Sequence, residues 1–315
     1  MVQAAKGRSR QECMRQKRKK GMRVFLYVLP GIVFVFIFHY LPLWGWAFSF
    51  FQYKPGKALF DCEFVGWTNF SQLFGNAIMR KNLIRVLTNT FGIHFLGYVF
   101  SPLPMIFAVL LSEMRSKKFQ KLIQTITTLP NFISWVIIFS LATSLFGSNG
   151  VVNTVGMKIG LLNEPVNILT TDRHVWLIQV LFQQWKSLGW SAIIYFAAIA
   201  GIDQEIYEAA MVDGAGRWQK IWYITLPQLI PTYFVLLIMS IGNFLNTGID
   251  QYLAFGNALN KQYIEVLDLY VYNLGIGSGQ ISFSVAVGMM KSFVALVLFA
   301  AANMASKKVR GISVF

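Results

Sequence analysis

Apolar residues fall in long blocks along this chain, separated by short polar segments. Six blocks, 24–51, 86–112, 122–146, 175–202, 229–249 and 281–306, hold few or no charged residues. Each meets or exceeds the about 20 residues that a helix needs to cross a bilayer. A helix is the form expected there, because it satisfies its own backbone hydrogen bonds where no water can. The pattern predicts an all-α membrane protein with six transmembrane helices. One transmembrane domain, 24–306, lies between an N-terminal segment, 1–23, and a short tail, 307–315.

Proline, glycine and amphipathic signals refine this outline. Pro30 and Pro42, with Gly31 and Gly45 nearby, predict a kink or an early end of the first span near Pro42. The run FVGWTNFSQLF in the next loop predicts a short amphipathic helix capped by Thr68 or Asn69, with Trp67 and Phe70 at the membrane interface. A second surface helix is expected within 147–174. The segment 251–280 places Tyr263, Tyr270 and Tyr272 ahead of a GIGSG run that reads as flexible. Neither a G-x-x-x-x-G-K-[ST] phosphate loop nor a repeat of fixed period occurs, so any ATP would be bound by another chain.

Charge sets the orientation. Only 13% of residues are charged, against the roughly one quarter of soluble domains, which points to lipid as the solvent. Lys6, Arg8, Arg10, Arg15, Lys17, Arg18, Lys19, Lys20, Arg23, Arg115, Lys117, Lys118, Lys121, Arg217, Lys220, Lys307, Lys308 and Arg310 fall on one side of six spans. That side holds 18 cations, against eight opposite: Lys54, Lys57, Arg80, Lys81, Arg85, Lys158, Arg173 and Lys261. The bias places both termini, and the loop between spans four and five, in the cytoplasm. A net charge of +15 also suits nucleic acid, but no soluble basic domain exists to carry a groove reader. The bilayer is the expected partner. The first apolar run is longer than the roughly 7–15 residues of a signal-peptide core and no small-x-small site closes it, so it reads as a retained span. Cys13 and Cys62 fall on opposite faces and cannot pair. No His, Cys or carboxylate cluster has metal spacing, and no nucleophile–base pair suggests an enzyme.

One polar segment stands out. Residues 208–227 read EAAMVDGAGRWQKIWYITLP, which is E-A-A, three residues, G, nine residues, I-x-L-P. Two short helices are expected around a break at Gly214-Ala215-Gly216. Asp203 or Gln204 would cap the first, and Asp203, Glu205 and Glu208 suit the positive end of its dipole. Ala209 and Ala210 offer a smooth surface for close packing. Gly214 allows a turn where a side chain would clash. Trp218 and Trp222 share a face of the second helix, and Pro227 and Pro231 mark the start of the fifth span.

The pattern resembles the cytoplasmic docking loop of the membrane-spanning subunits of ABC importers. FHYLPLWGWAFSF, FVGWTNF, TLPNFISWV, QWKSLGW and GQISFSVAVGMMKS extend the resemblance to the carbohydrate-uptake class, in the oligosaccharide branch similar to maltose-type permeases. It runs from about residue 22 to the C-terminus; the basic residues 1–20 lie outside it. That resemblance implies a bacterial plasma-membrane permease subunit with a coupling helix in loop 203–227. It also implies a second permease subunit, two cytoplasmic ATPases carrying ATP and Mg, an extracytoplasmic solute-binding protein and a sugar substrate. This chain would bind no cofactor. Carried over at matching positions, Glu208, Ala209, Ala210, Gly214, Ile224, Leu226 and Pro227, with Asp213 beside the glycine, form the ATPase-docking set.

Polar residues inside spans are candidates for the solute path. Gln183, Lys186 and Trp190 share one face of span four, and Asn243, Asn246 and Asp250 are expected on one face of span five. Span six contributes Lys291. At about 1.5 Å per residue, Lys186, Asn243 and Lys291 lie at a similar depth between the outer surface and the midplane. Amides and tryptophan rings suit the hydroxyls and C–H faces of a sugar, and the two lysines would suit an acidic one. A structural reading stays open at each position, with Asp250 pairing Lys186 or Lys291. His39 and His94 are expected to be interfacial or helix-bonded. The runner-up function is an ion-coupled secondary transporter of a polar solute, with Asp250 as its intramembrane acid; it leaves the docking pattern unexplained.

Overall fold

The computed structural model describes residues 20–172 and 174–310. Expectations for residues 1–19, including Cys13, for Arg173 and for 311–315 lie outside the described residues. Regular structure among the described residues is helical, apart from one antiparallel bridge between Phe51 and Phe64. Five helices are long and apolar enough to cross a membrane: Lys20–Phe50, Ala77–Ser112, Trp135–Lys158, Arg217–Gly242 and Ile281–Ala301. Counting Val175–Ala200 and Gln204–Val212, bent by 69°, as one span gives six.

The first span changes character near Pro42, as its sequence predicts. A π turn, Phe36–Tyr40, leads into a 3-10 helix, Leu41–Phe50. Proline lacks an N–H and its ring crowds the carbonyl four residues back. The wider turn absorbs this, with the Leu41 N–H reaching the Phe36 carbonyl five residues back. The most apolar window of this span is unburied. Its C-terminal end is tied down: Asn69 donates to the Ser49 carbonyl at 2.7 Å, and the Tyr53 N–H donates to Ser282 Oγ at 2.9 Å. The amphipathic helix Thr68–Gly75 forms as expected, but neither predicted residue caps it. The Thr68 hydroxyl instead donates to the Val65 carbonyl.

Three segments depart from the sequence reading. The block 122–146 is two helices, Lys117–Thr128 and Trp135–Phe146, split by a 3-10 turn, Leu129–Phe132, that contains Pro130. The fifth span starts earlier than its prolines suggest, at Arg217. A π turn, Ile221–Thr225, precedes Pro227, so the helix passes through it. That span also ends early, at Gly242. A Cβ on Gly242 would lie 2.2 Å from the Phe299 ring, so spans five and six touch where only hydrogen fits, the close crossing that small residues permit in membranes.

The segment 250–277 is packed rather than loose. It forms short helices Asp250–Phe255, Lys261–Ile264 and Leu267–Tyr272, and the GIGSG run begins inside a π turn, Asn273–Gly277. Phe255, Ile264, Val266 and Leu267 are almost fully buried. Phe255 sits among Phe139, Phe182 and Trp135 of spans three and four. This cap fills one end of the bundle and supplies much of its core.

Candidate functional site

The candidate docking segment begins as its sequence suggests, but its second helix runs on into span five. Asp203 Oδ1 accepts the Glu205 N–H at 3.0 Å and starts the helix Gln204–Val212. Gly214 adopts φ +79°, with nothing within 4 Å of where a Cβ would sit. Backbone conformation, not crowding, therefore requires glycine there. Gln219 Oε1 accepts the Gly216 N–H at 2.7 Å and starts the next helix. Across the break, the Tyr207 hydroxyl meets buried Thr225 Oγ1 at 2.9 Å, pinning the first helix to the base of span five.

The candidate docking residues divide by exposure. Glu208, Ala209, Asp213, Gly214 and Pro227 are exposed, whereas Ala210, Ile224 and Leu226 are half-buried. Leu226 packs on a core formed with Ile221, Leu229 and Tyr195. Around the exposed group stand Val212, 88% exposed, Tyr223 at 81% and Trp218 at 66%. Exposed apolar groups thus accompany two carboxylates and two small residues in this segment.

A cavity of about 660 Å³ opens between spans two, four and five. Span four contributes Gln183 and Trp190, two of the three residues that the helical spacing predicts, together with Ser187, which it did not single out. Asn246 and Thr247 reach it from the loop after span five. The sequence reading missed the opposing walls. Span two supplies His94, Tyr98 and Ser101, spaced four and three residues apart, and span five supplies Tyr233 and Ser240, seven apart. That periodicity was the available signal. The Ser101 and Tyr233 hydroxyls meet at 2.9 Å, and Tyr98 donates to the Ser240 carbonyl at 3.3 Å. His94 is not helix-bonded through Nε2: among the described residues, that atom is the buried side-chain nitrogen or oxygen without a partner.

Four predicted path residues lie elsewhere. Asn243, Asn246 and Asp250 do not share a helical face, because the helix stops at Gly242. The Asn243 amide folds back onto the Met239 carbonyl, and Asp250 begins a separate short helix. Lys291 pairs with Asp268, which also accepts the Thr247 and Gly248 N–H groups. Among the described residues, Lys186 pairs with no acid. Its Nζ donates to the carbonyls of Pro130 at 3.1 Å, Asn131 at 2.9 Å and Ile133, and lies 5.4 Å from the centre of the Trp135 ring. The pairing expected for Asp250 belongs to Asp268. Among the described residues, no Lys, Arg, Asp or Glu lines the cavity, and no His, Cys, Asp and Glu group suits a metal ion.

Residues 101–311 fit the model of the binding-protein-dependent transport system inner membrane component. The chain is 38% identical over 292 residues to protein LplB of Bacillus subtilis (strain 168), covering 92% of this chain and 90% of that one. It is 38% identical over 290 residues to the polygalacturonan/rhamnogalacturonan transport system permease protein YteP of the same organism, covering 90% and 88%. Among solved structures, it is similar to a chain of a bacterial alginate ABC transporter in complex with an alginate pentasaccharide-bound periplasmic protein. The TM-score is 0.83 at 33% identity, over 95% of this chain and 99% of that chain.

Proposed function

Since the chain belongs to the family of binding-protein-dependent transport inner membrane components, we propose that its cavity carries a sugar or oligosaccharide and that loop 203–227 docks a cytoplasmic ATPase. The protein is a multi-pass membrane subunit of a bacterial importer and not itself an enzyme. ATP and Mg belong to two partner ATPases. A second permease subunit completes the path, and an extracytoplasmic binding protein delivers the solute. Both termini and the coupling loop face the cytoplasm, in keeping with the cation bias.

One observation carries this reading. Span four lines the cavity with Gln183, Ser187 and Trp190 and then bends by 69° into the E-A-A helix. A bent rod, broken only at 201–203, therefore joins the cavity wall to the docking surface. Closure of an ATPase pair around Glu208, Ala209, Ala210, Asp213 and Gly214 would swing that rod, while Ile224, Leu226 and Pro227 root the loop in span five.

The chemistry of the walls points to hydroxyl-rich solutes. Tyr98, Tyr233 and Trp190 present amphipathic rings to the C–H faces of a pyranose. Gln183, Ser187 and Asn246 offer donors and acceptors for its hydroxyls. Lys186 and Lys291 are occupied by backbone carbonyls and by Asp268, so neither supplies a free cation to this cavity.

The test is reconstitution of the assembly in proteoliposomes with its binding protein. ATP-dependent uptake of an oligosaccharide should fall in Trp190→Ala while ATPase co-purification persists. Glu208→Lys should release the ATPase. Full uptake in both variants would refute the reading.

A further inference from the structure

We propose that Lys186 is a positioning residue that clasps the broken third span to the driven fourth span, so that the cavity wall moves with the docking loop. The proposal rests on the docking reading above. Its starting point is the cost of the break. A helix interrupted at membrane depth frees carbonyls that lipid cannot satisfy. A lysine near the centre of a membrane helix is itself unfavourable. Here each solves the other's problem. The ammonium has three N–H donors, and three carbonyls of the break, those of Pro130, Asn131 and Ile133, accept them.

Position gives the clasp its consequence. One turn along span four, Trp190 packs edge-on against Phe132 of the break, with ring centres 5.6 Å apart, and Trp190 lines the cavity. Between them, Gly189 lies against the Thr127 backbone, where a Cβ would come within 2.3 Å. The glycine contact is a close fulcrum and the lysine contact a set of directional bonds. Span four continues unbroken from Val175 to Ala200. Movement at its cytoplasmic end is therefore delivered to the joint of span three at Lys186. Without the clasp, span four can move while the outer half, Trp135–Phe146, stays behind.

The experiment compares Lys186→Met, Lys186→Gln and Lys186→Arg in the reconstituted assembly with its binding protein. Assembly, melting temperature, ATPase rate and solute uptake are measured together. The expected result is retained ATPase association and hydrolysis in Lys186→Met, with transport per ATP lowered about fivefold or more. Partial recovery is expected in Lys186→Gln and Lys186→Arg, which still donate to carbonyls. Should Lys186→Met fail to assemble, the graded loss from Lys186→Arg to Lys186→Gln is read instead. A lowered melting temperature with normal transport per ATP would overturn the proposal, as would a shift confined to the solute KM. Loss of the ATPase itself would mark failure at the docking loop rather than at the clasp.

Discussion

At the scale of single residues, the bundle relies on a few polar groups whose partners are distant in sequence. Asp268 takes Lys291 on one oxygen and the Thr247 and Gly248 N–H groups on the other. Removing one member of such a shielded pair leaves the other unpaired. Asp268→Asn should cost stability, up to the about 3–5 kcal/mol seen for buried pairs. Thermal unfolding of the purified protein should show the double variant, Asp268→Leu with Lys291→Met, melting above either single one. Additive losses would argue against a coupled pair. Gly214 makes a different kind of demand, with φ +79° in open space. Gly214→Ala should strain the loop by roughly 1–2 kcal/mol and weaken ATPase association, leaving the melting temperature of the spans unchanged. Co-purification and calorimetry read the two effects separately.

At the scale of elements, spans read well from hydrophobic blocks, and breaks read poorly. The E-A-A segment was legible because its chemistry is local: an aspartate cap, a glycine turn and exposed aromatics. Gln183 and Trp190 were legible because span four is straight enough for helical spacing to hold. Lys186 shares their face by spacing, yet it turns to span three, since only the tertiary fold shows where a break frees carbonyls. Asn243, Asn246 and Asp250 failed as a face because Gly242 abuts Phe299 and the helix ends there. The short helices of the cap 250–277 were not legible because they carry no long period and owe their order to packing. A crossing as tight as that of spans three and four makes its own prediction. Gly189→Ala would drive a methyl into the Thr127 backbone, at a cost of about 1–3 kcal/mol or more. Its melting temperature should fall further than that of Gly97→Ala, where space is free.

For the whole molecule, orientation is open to a direct test. Phe60, 81% exposed in the loop after span one, and Val212, 88% exposed in segment 203–227, should label from opposite faces. In a background lacking Cys13 and Cys62, Phe60→Cys should react with an impermeant maleimide on intact cells. Val212→Cys should react only after the membrane is opened. The reverse would invert the topology argued from the cations.

The cap carries one last implication. It is fastened to span two by Arg85 and Asn89 at Glu265 and Gln262, and to span six by Lys291 at Asp268. Stitched on two sides, the cap is expected to travel with the walls it is tied to rather than to lift like a flap. Amide hydrogen exchange across Leu267–Tyr272 should therefore be equally slow with and without nucleotide on the assembly, and faster exchange in either state would reveal a flap after all.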